Sequence, residues 1–543
     1  MRLEIENSFL KDFASTFENL TDKPWAIHLE RSSAWGNDSK VNFELSSVST
    51  EDLSSMYELA KAKGNRSVMV NLTGVLAARK SKGQTKLSKL RMLDEAIRSF
   101  ISADFIDGWL YHQGADGLMQ PYAFESVRYE PPKLRDTESV TVSLFCCAPK
   151  EKGGRHNESA FTRVYLNFRT DDLNLGSVAQ IFQSKGYSHE TPDLKEAYLQ
   201  SRNRLVEVVS QPYKQYWVKG SVMTSMELWS RKKVEIPFPT RAVFDEYHVF
   251  RTIIESFVPG DTRGYDGSVT LDNLVTVPLS MYTSIFDMDR HQYFWAHVDL
   301  LEDYAFDEGM VDKIVLPETH RDLIGILTQD LDIQFEDIVK GKSGGTTILC
   351  KGAPGLGKTL TAEVFSESVR RPLYRVHSGQ IGYDPEHVES NLREILVRAQ
   401  RWGAALLIDE ADVFIRERSN DIVHNAIVSA FLRTLEYFSG LLFLTTNRSN
   451  DIDDAILSRC TAIVKYEYPD KEQAVRLWQV LSKQSGVKLS PALCKKLADL
   501  FSKDVSGRDI KKLIDLTARY ADKKKLALDV DLFRRCALFK GMI

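Results

Sequence analysis

Five short apolar runs lie in the second half of the chain, and segments with helical spacing separate them. The runs occupy residues 346–350, 373–376, 404–408, 441–445 and 462–464. Short runs without polar alternation are typical of strands that are buried on both faces of a parallel sheet. Between them, residues 359–369 and 389–400 place apolar side chains at helical intervals. This alternation of strands and helices predicts a layered α/β domain.

The remaining pattern divides the chain into further parts. Periodic stretches at 471–485, 491–502 and 508–524 predict a separate helical subdomain over residues 470–543, behind an α/β subdomain over 331–469. Residues 140–145 and 162–168 alternate as strands do, whereas 87–101 and 193–208 have helical spacing. They predict an α+β region over 1–236. The segment Pro237-Phe238-Pro239 marks a boundary, and 237–330 form a second N-terminal unit or a connecting segment.

Composition excludes several classes of protein. The 543 residues are 43% hydrophobic and 27% charged, which excludes a disordered or collagen-like chain. The 71 Lys and Arg nearly balance the 75 Asp and Glu, and a net charge of −4 neither requires nor excludes a nucleic-acid partner. Six cysteines without a C-x-x-C pair indicate reduced thiols, not a zinc site. No apolar stretch approaches 18 residues and no signal peptide is evident, so we predict a cytoplasmic protein outside the membrane.

A glycine-rich motif follows the first apolar run and precedes a predicted helix. It reads GAPGLGKT over residues 352–359, with glycines at 352, 355 and 357. Glycines in such a loop let several backbone N–H groups converge on a phosphate, and the start of the helix adds its dipole. Lys358 is then predicted to contact the β- and γ-phosphates, and the Thr359 hydroxyl to hold Mg²⁺. A glycine-rich turn without chemical meaning is the alternative.

Polar side chains end two of the later runs. Asp409 and Glu410 follow the third run, and Asn447 follows the fourth. An acidic pair after a strand is often only a helix cap, but after a phosphate loop it indicates catalysis. We expect Asp409 to bind the Mg²⁺ shell through water, and Glu410 to act as general base on the attacking water. Asn447 is the candidate to orient that water, or else a turn-forming residue.

Two arginines complete the candidate site. Arg459 lies in the sequence Ser-Arg-Cys and is a candidate arginine finger for the site of a neighbouring subunit. Arg508, in SGRDIK, opens a helix of the C-terminal subdomain and could contact the γ-phosphate. A plain surface arginine and a residue at a helix start without a ligand are the respective alternatives.

These motifs, in this order, resemble those of the AAA+ ATPases, and within them the AAA clade. GAPGLGKTLTAE is similar to the Walker A segment, LLIDEADVF to Walker B, TTNR to the first sensor and SGRDIK to the second. Longer phrases such as RWGAALLIDEADVF resemble an uncharacterised group of AAA ATPases common in fungal genomes. The resemblance covers roughly residues 314–521, and it implies a P-loop α/β ATPase domain with a C-terminal helical lid behind an α+β N-terminal region.

The resemblance also implies a set of ligands and partners. ATP and Mg²⁺ would bind between sheet and lid, ATP would be cleaved to ADP and phosphate, and subunits would form a homo-oligomeric ring, usually a hexamer. Asp337 and Ile338 would lie beside the adenine. The Walker A residues implied to contact the nucleotide are Gly352, Pro354, Gly355, Leu356, Gly357, Lys358, Thr359 and Leu360.

Two elements depart from the AAA pattern. The family often has an arginine pair in the region after the first sensor, whereas only Arg459 is evident here, and the pore loop also differs. AAA unfoldases carry an aromatic-apolar-glycine pore loop after the second strand, whereas residues 380–386 read QIGYDPE here. Tyr383 is the candidate for the substrate-gripping residue, although Asp384 and Pro385 follow it where the loop is expected. Peptide threading therefore does not follow from the motif set alone.

Three functions are compatible with these observations. The first is ATP-driven remodelling or disassembly of a protein client that the N-terminal region binds. The second is a nucleotide-controlled scaffold or switch with slow turnover. The third is a nucleic-acid motor or loader, supported by a locally basic C-terminal tail and by a basic segment with Arg79, Lys80, Lys82, Lys86, Lys89 and Arg91.

Overall fold

The computed structural model of the chain falls into two compact units, Met1–Asp303 and Tyr304–Ile543, which are described separately. The structure describes residues 2–17, 20, 23–26, 29, 40–45, 48–80, 87, 89–102, 108–114, 117–132, 137–147, 161–224, 232–245, 278–329, 345–448, 450–501 and 504–541.

The first unit begins with helices and a two-stranded antiparallel sheet. Strands β1 (Arg2–Glu6) and β2 (Lys40–Glu44) pair, and helices α1 (Asn7–Ala14), α2 (Thr50–Ala62) and α3 (Arg66–Lys80) pack with them. The Ser49 hydroxyl caps α2 by accepting a hydrogen bond from Asp52 N. Phe13 and Trp25 are fully buried between these elements, with ring centroids 4.9 Å apart. Their burial supplies much of the apolar core of this part.

Two five-stranded antiparallel sheets complete the first unit. One has the order β6-β5-β4-β3-β7 and the other β11-β10-β9-β8-β12, with β11 also paired to β8. The strands of the first are β3 (Trp109–Gln113), β4 (Met119–Glu130), β5 (Ser139–Cys147), β6 (Phe161–Phe168) and β7 (Tyr187–His189). Those of the second are β8 (Gln215–Met223), β9 (Lys233–Phe244), β10 (Tyr282–Asp287), β11 (Gln292–His297) and β12 (Leu301–Asp303).

The strands predicted at 140–145 and 162–168 are confirmed as parts of β5 and β6. Helix α4 (Arg91–Ser102) begins four residues after the start of the helix predicted at 87–101. Helix α6 (Pro192–Ser210) covers the helix predicted at 193–208, and a short helix, α5 (Val178–Ser184), precedes it. The Thr191 hydroxyl caps α6, and Pro192 occupies its first turn, where a missing N–H costs nothing. Local periodicity was therefore sufficient to identify these elements.

Strand β9 runs through Pro237 and Pro239, where the sequence predicted a domain boundary at 236/237. The register of β8 and β9 shifts there, with Val218 opposite Thr240 but Gly220 opposite Ile236. A bulge of this kind accommodates prolines, which cannot donate to the sheet ladder. The chain divides instead between Asp303 and Tyr304, and residues 304–329 belong to the second unit, ahead of the predicted boundary at 330/331.

One member of the basic segment has a structural role in the first unit. The Arg79 guanidinium donates hydrogen bonds to Leu45 O at 2.5 Å and Val48 O at 2.6 Å, and burial lowers its pKa. It is therefore engaged with the backbone that precedes α2. Lys82 and Lys86 lie outside the described residues.

The second unit contains a parallel sheet of five strands in the order β14-β15-β16-β13-β17. All five apolar runs predicted as strands are confirmed as parts of this sheet. Strands β15 and β16 are buried along their whole length, whereas the edge strand β17 leaves Ile463 exposed. The strands are β13 (Thr346–Gly352), β14 (Leu373–His377), β15 (Ala405–Asp409), β16 (Leu441–Thr446) and β17 (Ala462–Tyr466). The helices up to β17 are α7 (Glu318–Gln329), α8 (Lys358–Ser368), α9 (Ser378–Ile381), α10 (Pro385–Arg401), α11 (Asp412–Ile415), α12 (Ile422–Leu435) and α13 (Asp454–Leu457).

Four helices after β17 form a small bundle, which we call the lid. They are α14 (Lys471–Gln484), α15 (Pro491–Leu500), α16 (Gly507–Lys524) and α17 (Val530–Leu538). Trp478 and Phe533 are fully buried in the bundle, with centroids 5.6 Å apart and rings perpendicular. The first three helices match the predicted stretches, and α17 is an addition. Asp529 caps α17, whose apolar residues complete the core of the bundle.

Three general features concern the described residues as a whole. All six cysteines are free thiols, and five of them are buried. Among the described ranges, no cluster of His, Cys, Asp and Glu is arranged to hold a metal ion. In the same part of the chain, no helix has the length and apolar character needed to cross a bilayer.

Candidate nucleotide-binding site

The glycine-rich motif forms a tight loop between β13 and α8. Gly352 has φ 152°, Gly355 φ 83° and Gly357 φ 97°, a region that residues with a side chain rarely adopt. A Cβ atom at Gly352 would lie 2.3 Å from Tyr466 O on the neighbouring strand, so only glycine fits. The sequence thus directs the chain from a buried strand into a helix through a loop that exposes backbone N–H groups.

Lys358, at the start of α8, folds back over this loop. Its ammonium donates to Gly352 O at 2.8 Å, Ala353 O at 2.7 Å and Asn447 Oδ1 at 3.0 Å. The side chain is buried, and burial lowers the pKa of Lys358. Because these three acceptors are neutral, they leave the positive charge uncompensated by direct contact. An anionic phosphate is the ligand that this arrangement favours.

Thr359 and Asp409 provide oxygen ligands beside that lysine. The Thr359 hydroxyl donates to Asp409 Oδ1 at 3.0 Å, and Thr445 donates to the same oxygen at 2.5 Å. Burial alone would raise the pKa of Asp409, but the hydrogen bond from Thr445 and the nearby Arg375 cation hold it below its usual value. The residue therefore remains a carboxylate. A hydroxyl and a carboxylate fit Mg²⁺, which prefers oxygen ligands.

Glu410 is held in an unusual backbone conformation at the end of β15. Its φ is 56°, in the left-handed region, and its backbone N–H donates to Thr445 Oγ1 at 3.0 Å. Its side chain is exposed and lines the same cavity as Lys358 and Asp409. Conformations of this kind cost about 1–3 kcal/mol and concentrate at functional sites. The turn directs the Glu410 carboxylate away from the buried strand.

Asn447 is positioned by Asp412, a residue that the sequence did not single out. Asp412 Oδ1 accepts hydrogen bonds from the Thr446 hydroxyl and from Asn447 N, the latter at 3.2 Å. This anchors the end of β16 to the start of α11. Thr445, Asp412 and Arg375 all support the site, yet each looks like an ordinary polar residue beside an apolar run. The position of Thr445 and Asp412 at or just after the carboxyl ends of strands is the signal that could have found them, whereas Arg375 lies within a strand and gives no such signal.

A cavity of 820 Å³ lies between the sheet and the lid. Predicted residues at its wall include 354–360, Asp409, Glu410, Asn447 and Arg508. Gly352 supports the loop from behind. Asp337 and Ile338 lie outside the described residues. The apolar part of the wall comes instead from Met310, Ile314, Val315, Leu316, Pro317, Leu477, Val480 and Leu481. In the sequence, the apolar segment 314–317 before α7 is the feature that could have predicted this apolar part of the cavity wall.

The lid contacts the loop directly. Arg508 N donates to Gly355 O at 3.3 Å, and a Cβ atom at Gly355 would lie 2.6 Å from Ser506 Oγ. Ser506 and Asp509 form a capping box that fixes the start of α16. The Arg508 side chain is exposed and lines the cavity. The start of α16 is thus placed against the same loop that would hold the phosphates.

Arg459 and Tyr383 lie away from this cavity. Arg459 follows α13, is exposed, and donates to Ala455 O at 3.2 Å. Tyr383 is 57% exposed on the turn before α10. Asp384 caps α10 and Pro385 is its first residue, so these two residues begin a helix and Tyr383 is the last residue before it. Among the described residues of the cavity wall, neither Arg459 nor Tyr383 is included.

Comparison with known proteins identifies the domain that contains this site. Residues 348–468 match the family described as "ATPase family associated with various cellular activities (AAA)". The chain is 29% identical over 206 residues to an uncharacterized AAA family ATPase, y4kL, of Sinorhizobium fredii, which covers 36% of this chain and 61% of that protein. It is also 29% identical over 156 residues to ATPase family AAA domain-containing protein 3 of Bos taurus, covering 27% of each.

A solved structure adds a distant similarity. A chain of the HORMA:CdnC:Trip13 complex of E. coli MS115-1 has a TM-score of 0.35 and 20% identity, and covers 42% of this chain and 90% of that chain. The matched part spans less than two thirds of either curated relative named above. The resemblance to a fungal group stays a prediction. Residues 348–468, which carry the phosphate loop, the acidic pair and Asn447, match the AAA ATPase family.

Proposed function

We propose that the chain binds ATP with Mg²⁺ in the 820 Å³ cavity and hydrolyses it to ADP and phosphate. The observation that carries this proposal is the convergence of a buried ammonium, a carboxylate and an exposed glutamate around one loop. Lys358 supplies charge for the terminal phosphates, and Glu410 supplies a base. The apolar wall formed by 314–317 and α14 suits a purine ring.

The chain's own residues divide the work of hydrolysis. Thr359 and Asp409 would hold Mg²⁺, which neutralises charge on the phosphates when it is bound. Glu410 accepts the proton of the attacking water, while Asn447 orients that water from the end of β16. Lys358 and the loop N–H groups stabilise negative charge that develops on the phosphoryl oxygens. Arg508 lies on the lid side of the cavity, where it can contact the γ-phosphate.

At the level of the whole protein, we propose a ring of six subunits that remodels a protein client bound by the N-terminal region. Exposed Arg459 supports the ring, because a cation outside its own cavity is free to enter a neighbour's site. Exposed Tyr383 supports contact with a client. The cytoplasmic location and the hexameric state stay predictions. A slow switch and a nucleic-acid motor remain as alternatives, although Arg79 is engaged in the fold.

The Glu410→Gln variant tests the enzymatic proposal. It should bind ATP as the wild type does and fail to release phosphate, because glutamine keeps the shape of the side chain but accepts no proton. Arg393→Gln, which removes only an exposed ion pair with Glu389 on α10, serves as the control and should hydrolyse normally. Hydrolysis by Glu410→Gln at the wild-type rate would refute the role of Glu410. Failure of the wild type to bind ATP would refute the proposal itself.

The same variant tests the cellular role. Glu410→Gln protein in ATP should retain its client, which can be isolated and identified by mass spectrometry. Slow wild-type turnover, with assembly driven by ATP binding alone, would favour the switch. Stimulation of hydrolysis by DNA or RNA that weakens steeply with salt would favour the nucleic-acid motor.

A further inference from the structure

Arg375 brings a second cation to the carboxylate of Asp409, from a strand that the proposed mechanism does not otherwise use. It lies in the middle of β14, next to β15 in the sheet. Arg375 Nη2 is 2.6 Å from Asp409 Oδ2, and Nη1 is 3.7 Å from Glu363 Oε1 on α8. The guanidinium thus lies between two carboxylates on separate elements. Both carboxylates line the nucleotide cavity, as does Arg375.

Packing does not account for an arginine at this position. Its neighbours Tyr374 and Val376 are buried, whereas the Arg375 side chain is 38% exposed on the cavity side. Its Nε atom is buried and makes no hydrogen bond within the described part of the chain. A buried donor without a partner is costly. We therefore attribute the arginine at this position to its contact with Asp409 and not to local packing.

The contact completes the hydrogen bonding of Asp409 without any metal. Oδ1 accepts from Thr359 and Thr445, and Oδ2 accepts from Arg375. If Asp409 is to hold a hydrated Mg²⁺, it must turn one of these oxygens towards the water shell of the ion. The bond from Arg375 occupies Oδ2, and its positive charge opposes the approach of a dication. Glu363 offers the guanidinium a second carboxylate to which it can move.

We propose that Arg375 is a positioning residue that neutralises Asp409 in the metal-free site and thereby sets the Mg²⁺ concentration at which the site fills. This inference rests on the proposed function, because it requires that Asp409 serve a metal–nucleotide complex. Arg375 then exchanges between Asp409 in the metal-free site and Glu363 in the filled site. A chain with this device binds its metal more weakly than one with a neutral residue at 375.

Binding of Mn²⁺, measured by electron paramagnetic resonance with saturating ATP in the Glu410→Gln background, tests the inference without relying on turnover. Arg375→Gln should lower the half-saturating Mn²⁺ concentration by about tenfold, because one positive charge near the ion is lost. Arg375→Lys keeps the charge and should change the half-saturating Mn²⁺ concentration less. Arg393→Gln, on the exposed face of α10, should leave it unchanged.

The outcomes separate this inference from the proposed function. If the parent protein binds ATP and Mn²⁺ while both Arg375 variants bind Mn²⁺ no more tightly, the role of Arg375 is refuted and the proposed function stands. If the parent protein binds neither ATP nor Mn²⁺, the role of Arg375 and the proposed function are both refuted. Thermal melting of each variant identifies a folding defect. Should Arg375→Gln not fold, Arg375→Met decides, because it also removes the charge: unchanged Mn²⁺ affinity in a folded Met variant overturns the proposal.

Discussion

Lys358 Nζ lies 3.0 Å from Asn447 Oδ1, so a hydrogen bond joins the start of α8 to the end of β16 across 89 residues of sequence. The lysine that we propose to bind phosphate and the candidate water-orienting residue are therefore in contact in the protein without nucleotide. A phosphate that draws the ammonium towards itself would release the Asn447 carbonyl. Under the proposed function, this one bond would couple nucleotide binding to the arrangement of the attacking water.

Replacing Lys358 by methionine should weaken nucleotide binding and stabilise the empty protein. The ammonium is buried and hydrogen-bonded to neutral oxygens, so its removal relieves a desolvation cost of about 1 kcal/mol. Fluorescent ATP titration should show at least about a tenfold loss of affinity, the equivalent of one lost charged contact. Thermal melting should show a higher Tm without nucleotide and no increase on adding ATP.

The pH dependence gives this prediction a second check. Since burial lowers the pKa of Lys358 from 10.5, the folded protein releases this proton at lower pH than the unfolded chain. The cost of burying the charge is present below the folded pKa and disappears as pH rises towards 10.5. The stability advantage of Lys358→Met should therefore shrink over that range. A constant difference in unfolding free energy at all pH values would contradict the explanation.

Substitutions at Glu410 should separate catalysis from backbone strain. Because φ is 56°, alanine keeps the strain and glycine removes it. We expect Glu410→Gly to be more stable than Glu410→Ala by about 1 kcal/mol in urea unfolding, with neither variant releasing phosphate. The order would be reversed at a helical residue, where glycine is the less favourable of the two. Equal stabilities would show that the turn does not constrain the residue.

Gly355 and Gly357 form a matched pair for testing the contact between loop and lid. Both have positive φ, but a Cβ atom at Gly355 would meet Ser506 Oγ at 2.6 Å, whereas one at Gly357 would meet nothing within 4 Å. Gly355→Ala should therefore expose the start of α16 to hydrogen exchange, and Gly357→Ala should not. Equal protection of residues 506–510 in the two variants would argue against a lid held by this contact.

Mixed assemblies test Arg459 as a finger that acts between subunits. Arg459→Ala alone should lose most hydrolysis, by about 10³-fold if it contributes as other arginine fingers do. Mixing it with Glu410→Gln subunits should restore part of the rate, because some interfaces then combine an intact Glu410 with a neighbour's intact Arg459. Full activity of Arg459→Ala by itself would exclude the assignment. Arg393→Gln in the same mixture controls for dilution.

The sequence predicted the ATPase sheet well because each strand is a short apolar run and each turn carries a motif. It also predicted which residues would meet at the strand ends, since carboxyl ends of parallel strands share one edge. Arg375 and Asp412 were missed because their roles depend on side-chain partners more than thirty residues away. The strand through Pro237 was missed because a bulge makes room for the prolines, and no local pattern announces it.

The burial of the thiols has a practical consequence for experiments that measure movement of the lid with a fluorescent dye. Burial raises the pKa of Cys147 and Cys460 to about 11 and that of Cys350 to about 12, so few of these thiols are thiolates at neutral pH. Maleimide dyes react with thiolates that solvent can reach, so these native cysteines should label slowly. A single cysteine introduced on the exposed face of α16 would then carry a dye selectively. Distances between such a dye and a fluorescent nucleotide would report lid movement in an otherwise native chain.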